Sequence, residues 1–402
     1  MPAPLYGQVV CGPPGSGKTT YCNGMQQYLQ LLGRNVAVIN LDPANEAGRV
    51  LPPPRGVHEK EQQSSAVENE SKEEQGNSML PYETIFDVCE EVINLTSVMD
   101  QLGLGPNGGL VYCMEYLEAH VEDIIEMIQE RILSEQQIQG KKQTYLIIDL
   151  PGQVELYTHS TCVQHMLQKL TKILDLRLTA VQLIDAHYCA DATKFLSATL
   201  LGTTTMIRLE LPMVSVLSKV DLLSQYGDLP FTLEFFTECH DLQRLVPFID
   251  TGNLEQAEAE DDFKVAPDEF DYADDPDYQK ARQKTRQSNF FKKRAKLHQA
   301  LAEVVEDFGL LGFVPLDITD AESVGRVLAR VDKCNGYVFT ESSVNEDMFQ
   351  CAVQSESAYE SVADIQERLV EHRAQRRQQQ QQQERPSVPS PQNYVPNTTR
   401  MT

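Results

Sequence analysis

Short apolar runs recur along the chain, separated by longer segments in which apolar positions return every three or four residues. The runs are residues 8–11 (QVVC), 36–41 (VAVINL), 145–149 (YLIID), 181–185 (VQLID) and 213–217 (MVSVL), with 313–316 (FVPL) as a weaker sixth. They are apolar nearly throughout instead of alternating, which is how strands covered on both faces read. The intervening segments 18–32, 85–101, 117–139, 153–174, 194–204 and 290–308 carry helical spacing. Strand–helix alternation predicts an α/β fold, a mainly parallel sheet with helices on both faces.

Three segments break the pattern. Residues 52–78 are polar and charged with almost no apolar side chains, and are expected to form a disordered insertion, about 52–79, in a loop. Residues 255–277, inside a loop of about 253–278, are strongly acidic with scattered aromatics (Phe263, Phe270, Tyr272). Beyond 340 a polar tail runs to 402. Residues 361–377 have the spacing of a polar helix, 378–383 are all glutamine, and 386–396 are rich in Pro, Ser and Asn. The expected organisation is one domain over 1–340 followed by a largely disordered tail.

Composition narrows the partners. The 402 residues are 41% hydrophobic, enough for a full core. A formal charge of −25 disfavours sequence-independent nucleic-acid binding, because an acidic surface repels phosphate backbones. Nine cysteines without a CxxC pair point to reduced thiols in a cytosolic or nuclear compartment. The first residues lack a basic segment followed by a long apolar run, so no secretory signal is expected. Nor is a membrane span, since no stretch of roughly 18 apolar residues occurs.

The chemistry gathers where predicted strands end. Gly12-Pro13-Pro14-Gly15-Ser16-Gly17-Lys18-Thr19 matches GxxxxGK[ST], directly after the first strand and opening the first helix. Glycines let successive N–H groups converge on a phosphate, and the helix N-terminus adds its dipole. Lys18 is placed for the β- and γ-phosphates and Thr19 for Mg²⁺, with Thr20 next in the loop. The alternative is a chance Gly-rich turn.

Ser218-Lys219-Val220-Asp221 follows the strand MVSVL and resembles the [NT]KxD guanine motif, with Ser in place of Asn or Thr. An Asp carboxylate accepts from guanine N1–H and N2–H, a donor pair that adenine lacks. The Lys219 stem would cover the ring. The alternative for Asp221 is a helix N-cap.

Asp149-Leu150-Pro151-Gly152-Gln153-Val154-Glu155 ends another strand and resembles the DxPG element of GTPases. Asp149 would hold Mg²⁺ through water, and Gly152 N–H would meet the γ-phosphate. Gln153 and Glu155 could orient the attacking water. Asp42, in NLDPAN, is either a further carboxylate at that site or a turn residue before Pro43. Asp185 ends the strand VQLID and reads as a capping residue. His187 is given no role, and the histidines show no metal-ligand spacing.

Taken in order, GPPGSGKTT, NLDPANE, LGPNGGLVYCMEYLE, DLPGQVELYTH, LIDAHYC and SKVDLL are similar to the motifs of the GPN-loop GTPases, over roughly residues 5–336 apart from the insertions. The wording of GPPGSGKTTYC, DAHYC and NGYVF is most similar to the second of three eukaryotic paralogues. The resemblance implies a dimerising P-loop GTPase, a homodimer or a heterodimer of paralogues, with Mg²⁺ as cofactor and GTP or GDP as ligand. It implies that Asn107, presented by Gly105 and Pro106, reaches the partner subunit's phosphates. It also implies that Asp42, Asp149, Gln153 and Glu155 surround the magnesium and attacking water. The family's role lies in cytoplasmic assembly and nuclear import of RNA polymerase II, and to some extent III. In the family, NLDPANE runs almost straight into LPYE; here about thirty residues intervene before Leu80-Pro81-Tyr82-Glu83.

Two other readings stay open at this point. One is a P-loop phosphotransferase acting on a nucleoside or polynucleotide, with the basic segment 280–298 as a lid. The other is a nucleotide-gated binding module with negligible hydrolysis.

Overall fold

Seven parallel strands form one sheet in the order β3-β2-β4-β1-β5-β6-β7. The computed structural model describes residues 4–45, 80–138, 143–226, 229, 231–249, 289–339 and 361–368. The insertion 52–79, the acidic loop 253–278 and the glutamine run lie outside the described residues. All six sequence-predicted strands are present as β1 (Leu5–Cys11), β2 (Asn35–Asn40), β4 (Thr144–Asp149), β5 (Leu176–Asp185), β6 (Met213–Ser218) and β7 (Phe313–Leu316). The unpredicted one is β3 (Thr84–Asp87), at the edge.

Side-chain alternation splits the core between the two faces. Val9, Cys11, Ala37, Ile39, Leu146 and Ile148 point to one face. There they meet α3 (Leu95–Leu102), α4 (Pro106–Ala119), α5 (Val121–Ile138) and α7 (Cys162–Ile173). Tyr6, Val10, Val36, Val38, Tyr145 and Ile147 point to the other. That face carries α1 (Lys18–Leu31) and α11 (Ala321–Asn335), through residues such as Met25, Leu29, Val327 and Val331. Each fully buried Leu, Ile or Met contributes about 1.5–3 kcal/mol. A third cluster, around Phe195, Phe236 and Phe313, joins α8 (Ala192–Leu209), α9 (Leu233–Glu238) and α10 (Asn289–Phe308) at the β7 end.

Three expected helices are revised. Segment 85–101 is not one helix: β3 comes first, then α2 (Val88–Glu91), then α3. Asp87 caps α2 by accepting from Cys89 N, and Asn94 caps α3 by accepting from Ser97 N, so each helix has its own start. Segment 117–139 is two helices. Helix α4 ends at His120, whose Nδ1 lies 2.9 Å from Tyr116 O, and α5 begins at the next residue. Segment 153–174 is likewise divided, into α6 (Glu155–Thr158) and α7.

The Gly-Pro-Asn run is the first turn of α4, with Pro106 at its first position, where proline's fixed φ suits a helix and its missing N–H costs nothing. Gly109 lets α3 and α4 approach closely, since a Cβ there would stand 2.8 Å from Leu95 Cδ1. In the tail, α12 (Val362–Gln366) packs on the domain, with Ile365 only 2% exposed. Gln366 Oε1 accepts from Leu233 N at 2.6 Å, and Arg368 pairs with Asp320 at 3.0 Å. Among the described residues, no helix is long and apolar enough to cross a membrane.

Candidate functional site: the strand-end crevice

The strand order reverses at β1. Its neighbours are β4 on one side and β5 on the other, so the loops after β1, β4 and β5 diverge and leave a crevice at their carboxyl ends. The loop Gly12–Thr19 occupies it. Gly12 has φ +147°, and a Cβ there would lie 2.4 Å from Leu183 O and 2.9 Å from Ser16 Oγ, so only glycine lets the loop leave β1 this way. Gly15 and Gly17 also have positive φ, at 80° and 91°. Pro13 O accepts from Ser16 N at 3.2 Å, closing the turn, and Lys18 Nζ reaches back towards the same oxygen at 3.5 Å. Pro14 is exposed.

The DLPGQ segment faces this loop. A Cβ on Gly152 would meet Lys18 Nζ at 2.8 Å and Pro14 Cα at 3.4 Å. Lys18, Gly152 and Asp149 therefore share one small volume. Asp149 is buried, with Oδ2 accepting from Thr19 Oγ1 at 3.4 Å and from Tyr82 OH at 2.8 Å. Its Oδ1 is buried and has no hydrogen-bond partner among the described residues.

Burial pushes the Asp149 carboxyl up to about 7; Tyr82 opposes that rise, the nearby Asp42 charge adds to it, and Lys18 and Thr19 oppose it. Asp42 is also raised by burial, offset by the Ala44 N–H and by Lys18. Its Oδ1 accepts from Ala44 N at 2.9 Å, so its turn role is real and coexists with its place near Asp149. A buried carboxylate with a half-buried one beside it, a threonine hydroxyl and an unpaired carboxylate oxygen fit a hard, oxygen-seeking divalent cation such as Mg²⁺. Thr19 and Asp149 are the residues that would hold it. No cluster of three or more His, Cys, Asp or Glu arranged for a metal occurs among the described residues.

On the other flank, Ser218 Oγ donates to Ser16 O at 2.8 Å, tying β6 to the loop. Lys219, at φ 61°, sends Nζ to Gly15 O at 2.6 Å and to Asp185 Oδ2 at 2.8 Å. Asp185 does cap, accepting from His187 N at 2.9 Å, and its second oxygen holds Lys219, a pairing that the sequence reading missed. The capping position after β6 falls on Lys219 and not on Asp221. Asp221 lies in the first turn and lines a small cleft with Thr20, Lys219, Leu316 and Ile318.

Asn107 and Gln153 meet within one chain: Gln153 Nε2 donates to Asn107 Oδ1 at 2.7 Å. Gly105 and Asn107 are exposed. Glu155 is also exposed, at the start of α6; its backbone oxygen accepts from His159 N at 2.9 Å and Ser160 N at 3.1 Å, closing that short helix. Sequence reasoning missed Tyr82, which is 4% exposed and touches Asp149 from a distant segment.

A phosphate-binding loop after β1, with acceptor groups at the ends of β4 and β6, defines a P-loop nucleotide-binding protein. A family model described as "Conserved hypothetical ATP binding protein" matches residues 10–49 and 74–261, leaving 50–73 unmatched. The chain is 40% identical over 369 residues to GPN-loop GTPase QQT1 of Arabidopsis thaliana, covering 91% of this chain and 98% of that one. It is 38% identical to GPN-loop GTPase 2 of Danio rerio (92% and 94% covered) and 33% identical to GPN-loop GTPase 2 of Saccharomyces cerevisiae (92% and 85%). The chain belongs to the GPN-loop GTPases.

Among solved structures, a GTPase in apo form from Pyrococcus abyssi is similar at 20% identity and TM-score 0.47, with 82% of this chain and 97% of that one covered. The family model's description says ATP and the relatives' names say GTP, so the base has to be argued from the site.

Proposed function

We propose that the chain binds GTP with Mg²⁺ in the strand-end crevice and hydrolyses its γ-phosphate. The observation carrying this reading is the placement of Lys219. Bonded to Gly15 O and Asp185, its stem is fixed along the cleft that Asp221 lines. That supports a planar ring under the stem with a carboxylate at its edge, an arrangement that favours guanine over adenine.

In this reading the loop amides and Lys18 bind the phosphates, and Gly152 allows close approach at the γ-position. Asp149 and Thr19 would hold the magnesium, which when bound neutralises charge on the phosphate oxygens. Gln153 orients the attacking water, and Asp42 lies close enough to share that task. Glu155 takes part only if α6 shifts inward. Substituting Asp149→Ala or Gln153→Ala should leave GDP binding in place and lower turnover by about 100-fold or more, as removing one preorganised group does. Full turnover in both variants would overturn the assignment.

We further propose that the protein works as a dimer, with itself or a paralogue, through the face bearing α3 and α4. Leu102, Leu104, Val111, Tyr112 and Tyr116 are exposed there, beside Asn107. A groove of about 410 Å³, lined by Asn94, Ser97, Leu102, Tyr112 and Tyr116, lies on the same face. Such an apolar patch supports an interaction surface. The Asn107–Gln153 bond uses the Asn107 oxygen and leaves its amide N–H groups for a phosphate of the partner subunit. The same bond favours a second reading, in which Asn107 acts in cis by fixing Gln153.

Mixing an Asn107→Ala chain with a Lys18→Ala chain separates the two. A trans role predicts activity in the mixed dimer, because the one site with Lys18 faces a partner that still carries Asn107. A cis role predicts loss of activity, because the chain that keeps Lys18 lacks its own Asn107. The resemblance supports a role in assembling RNA polymerase II, and also III, in the cytoplasm with shuttling to the nucleus. Pull-down of polymerase subunits in the GTP state and not in the GDP state checks it.

A further inference from the structure

Tyr82 lies on no P-loop motif, yet its hydroxyl is hydrogen-bonded to the carboxylate at the centre of the site. It donates to Asp149 Oδ2 at 2.8 Å and accepts from Asn45 Nδ2 at 3.1 Å. A phenol has one proton, so a donor already placed against its lone pair fixes where that proton goes. With Asn45 supplying the donor, the Tyr82 proton is committed to Asp149. An O–H donating to a carboxylate is among the stronger hydrogen bonds, and this one is shielded from water, with Tyr82 4% and Asp149 1% exposed.

Asn45 is itself held. Its backbone carbonyl accepts from Asn40 Nδ2 at 3.4 Å, and the same nitrogen donates to Asp87 Oδ1 at 2.9 Å. The chain from Asp87 through Asn40, Asn45 and Tyr82 to Asp149 is thus continuous, and it joins the ends of β2, β3 and β4. It also brings together Asn45 and Tyr82, which flank the long connection between β2 and β3.

The consequence for Asp149 is an asymmetry. Thr19 and Tyr82 both address Oδ2, while Oδ1 is buried and unpartnered among the described residues. Free carboxylates can exchange their oxygens by rotating about the Cβ–Cγ bond. This one is pinned.

We propose that Tyr82 is a positioning residue that selects which oxygen of Asp149 serves the magnesium ion, and that Asn45 locks it in that role. The inference rests on the assignment of Asp149 as the magnesium carboxylate. Hydrogen bonds to a metal-binding carboxylate typically change metal affinity by about 10–100-fold when removed, so the effect should be readable without turnover.

The test measures the Mg²⁺ concentration that half-saturates retention of N-methylanthraniloyl-GTP on the full chain. Tyr82→Phe keeps the ring and its packing and removes only the hydroxyl. The expected result is a half-saturating Mg²⁺ concentration raised about 10-fold, with affinity for the analogue in EDTA within about twofold of the parent. Asn45→Ala, which leaves the hydroxyl free to turn away, should give a smaller rise in the same direction. An unchanged Mg²⁺ requirement in both variants overturns the proposal. So does an equal loss of affinity with and without Mg²⁺, which would mark Tyr82 as a packing residue. If the unsubstituted chain retains the analogue without any dependence on Mg²⁺, the assignment of Asp149 fails and this inference falls with it.

Discussion

The two flanks of the crevice are built differently. On the base side each contact joins one motif to the next: Ser218 to Ser16, Lys219 to Gly15, Lys219 to Asp185. The charges there are paired and partly open to water, with side-chain exposures of 35% and 19% for Lys219 and Asp185. On the proposed phosphate and metal side, the buried Asp149 has the half-buried Asp42 near it, and the group that holds Asp149, Tyr82, lies 67 residues away from it in the chain. The base side is a scaffold already balanced in its electrostatics. The metal side concentrates negative charge that a divalent cation would relieve. The first should depend little on Mg²⁺, and the second on both Mg²⁺ and pH.

Three substitutions probe that contrast. Lys219→Ala should have the largest effect, because it removes the links to Gly15 and Asp185 together with the ring cover proposed above. GTP affinity should fall about 100-fold, close to 3 kcal/mol, by equilibrium titration.

On the metal side, pH should matter most. The Asp149 carboxyl is raised to about 7 in the fold, chiefly by burial. A raised acid pKa favours the protonated fold, so its stabilising contribution is complete below the unfolded pKa and is lost as pH rises towards 7. In EDTA the protein should lose on the order of 2 kcal/mol from this group between pH 5.5 and 7.5, and Asp149→Asn should abolish that component. Denaturant titrations at the two pH values check it; an identical slope in both proteins breaks the contrast.

The smallest effect belongs to Asp185→Asn, which keeps an acceptor for the His187 cap and removes the charge facing Lys219. The pair is partly exposed, so about 1 kcal/mol, or fivefold in GTP affinity, is expected. A loss that grows with Mg²⁺ would show that the flanks are not separable.

The same contrast explains what could be read from sequence. Parallel strands covered on both faces are written as runs such as VAVINL and YLIID, and six of them were legible. The edge strand at Thr84–Asp87 was not, because four residues carry too little pattern and the helical spacing after them absorbed it. A Gly-Pro-Asn run suits a turn or a helix start equally well in sequence, because proline serves both; here it opens α4, with Gly109 packed against α3.

In the site, contacts within motifs were legible and contacts between distant segments were not. Lys18 and Asp149 were legible because each motif directly follows a predicted strand; that their strands β1 and β4 are neighbours came from the structure. That Asp185 both caps and pairs with Lys219 needed the neighbouring strands β5 and β6 in register. Tyr82 gave no chemical sign of its own. Its one signal was its position in the LPYE segment, which the resemblance placed in the motif order without giving it a task.

The central claim is that the crevice selects guanine through Asp221, and competition binding tests it most directly. GTP, ATP and XTP are set against N-methylanthraniloyl-GDP on the parent chain and on Asp221→Asn. The account predicts that GTP displaces the probe from the parent at least about 100-fold more effectively than ATP, since a site built for a donor pair rejects a base without it. In Asp221→Asn, GTP should weaken and XTP improve, because an amide donor suits the xanthine 2-carbonyl. Equal displacement by ATP and GTP, with no shift towards XTP in the variant, would contradict it.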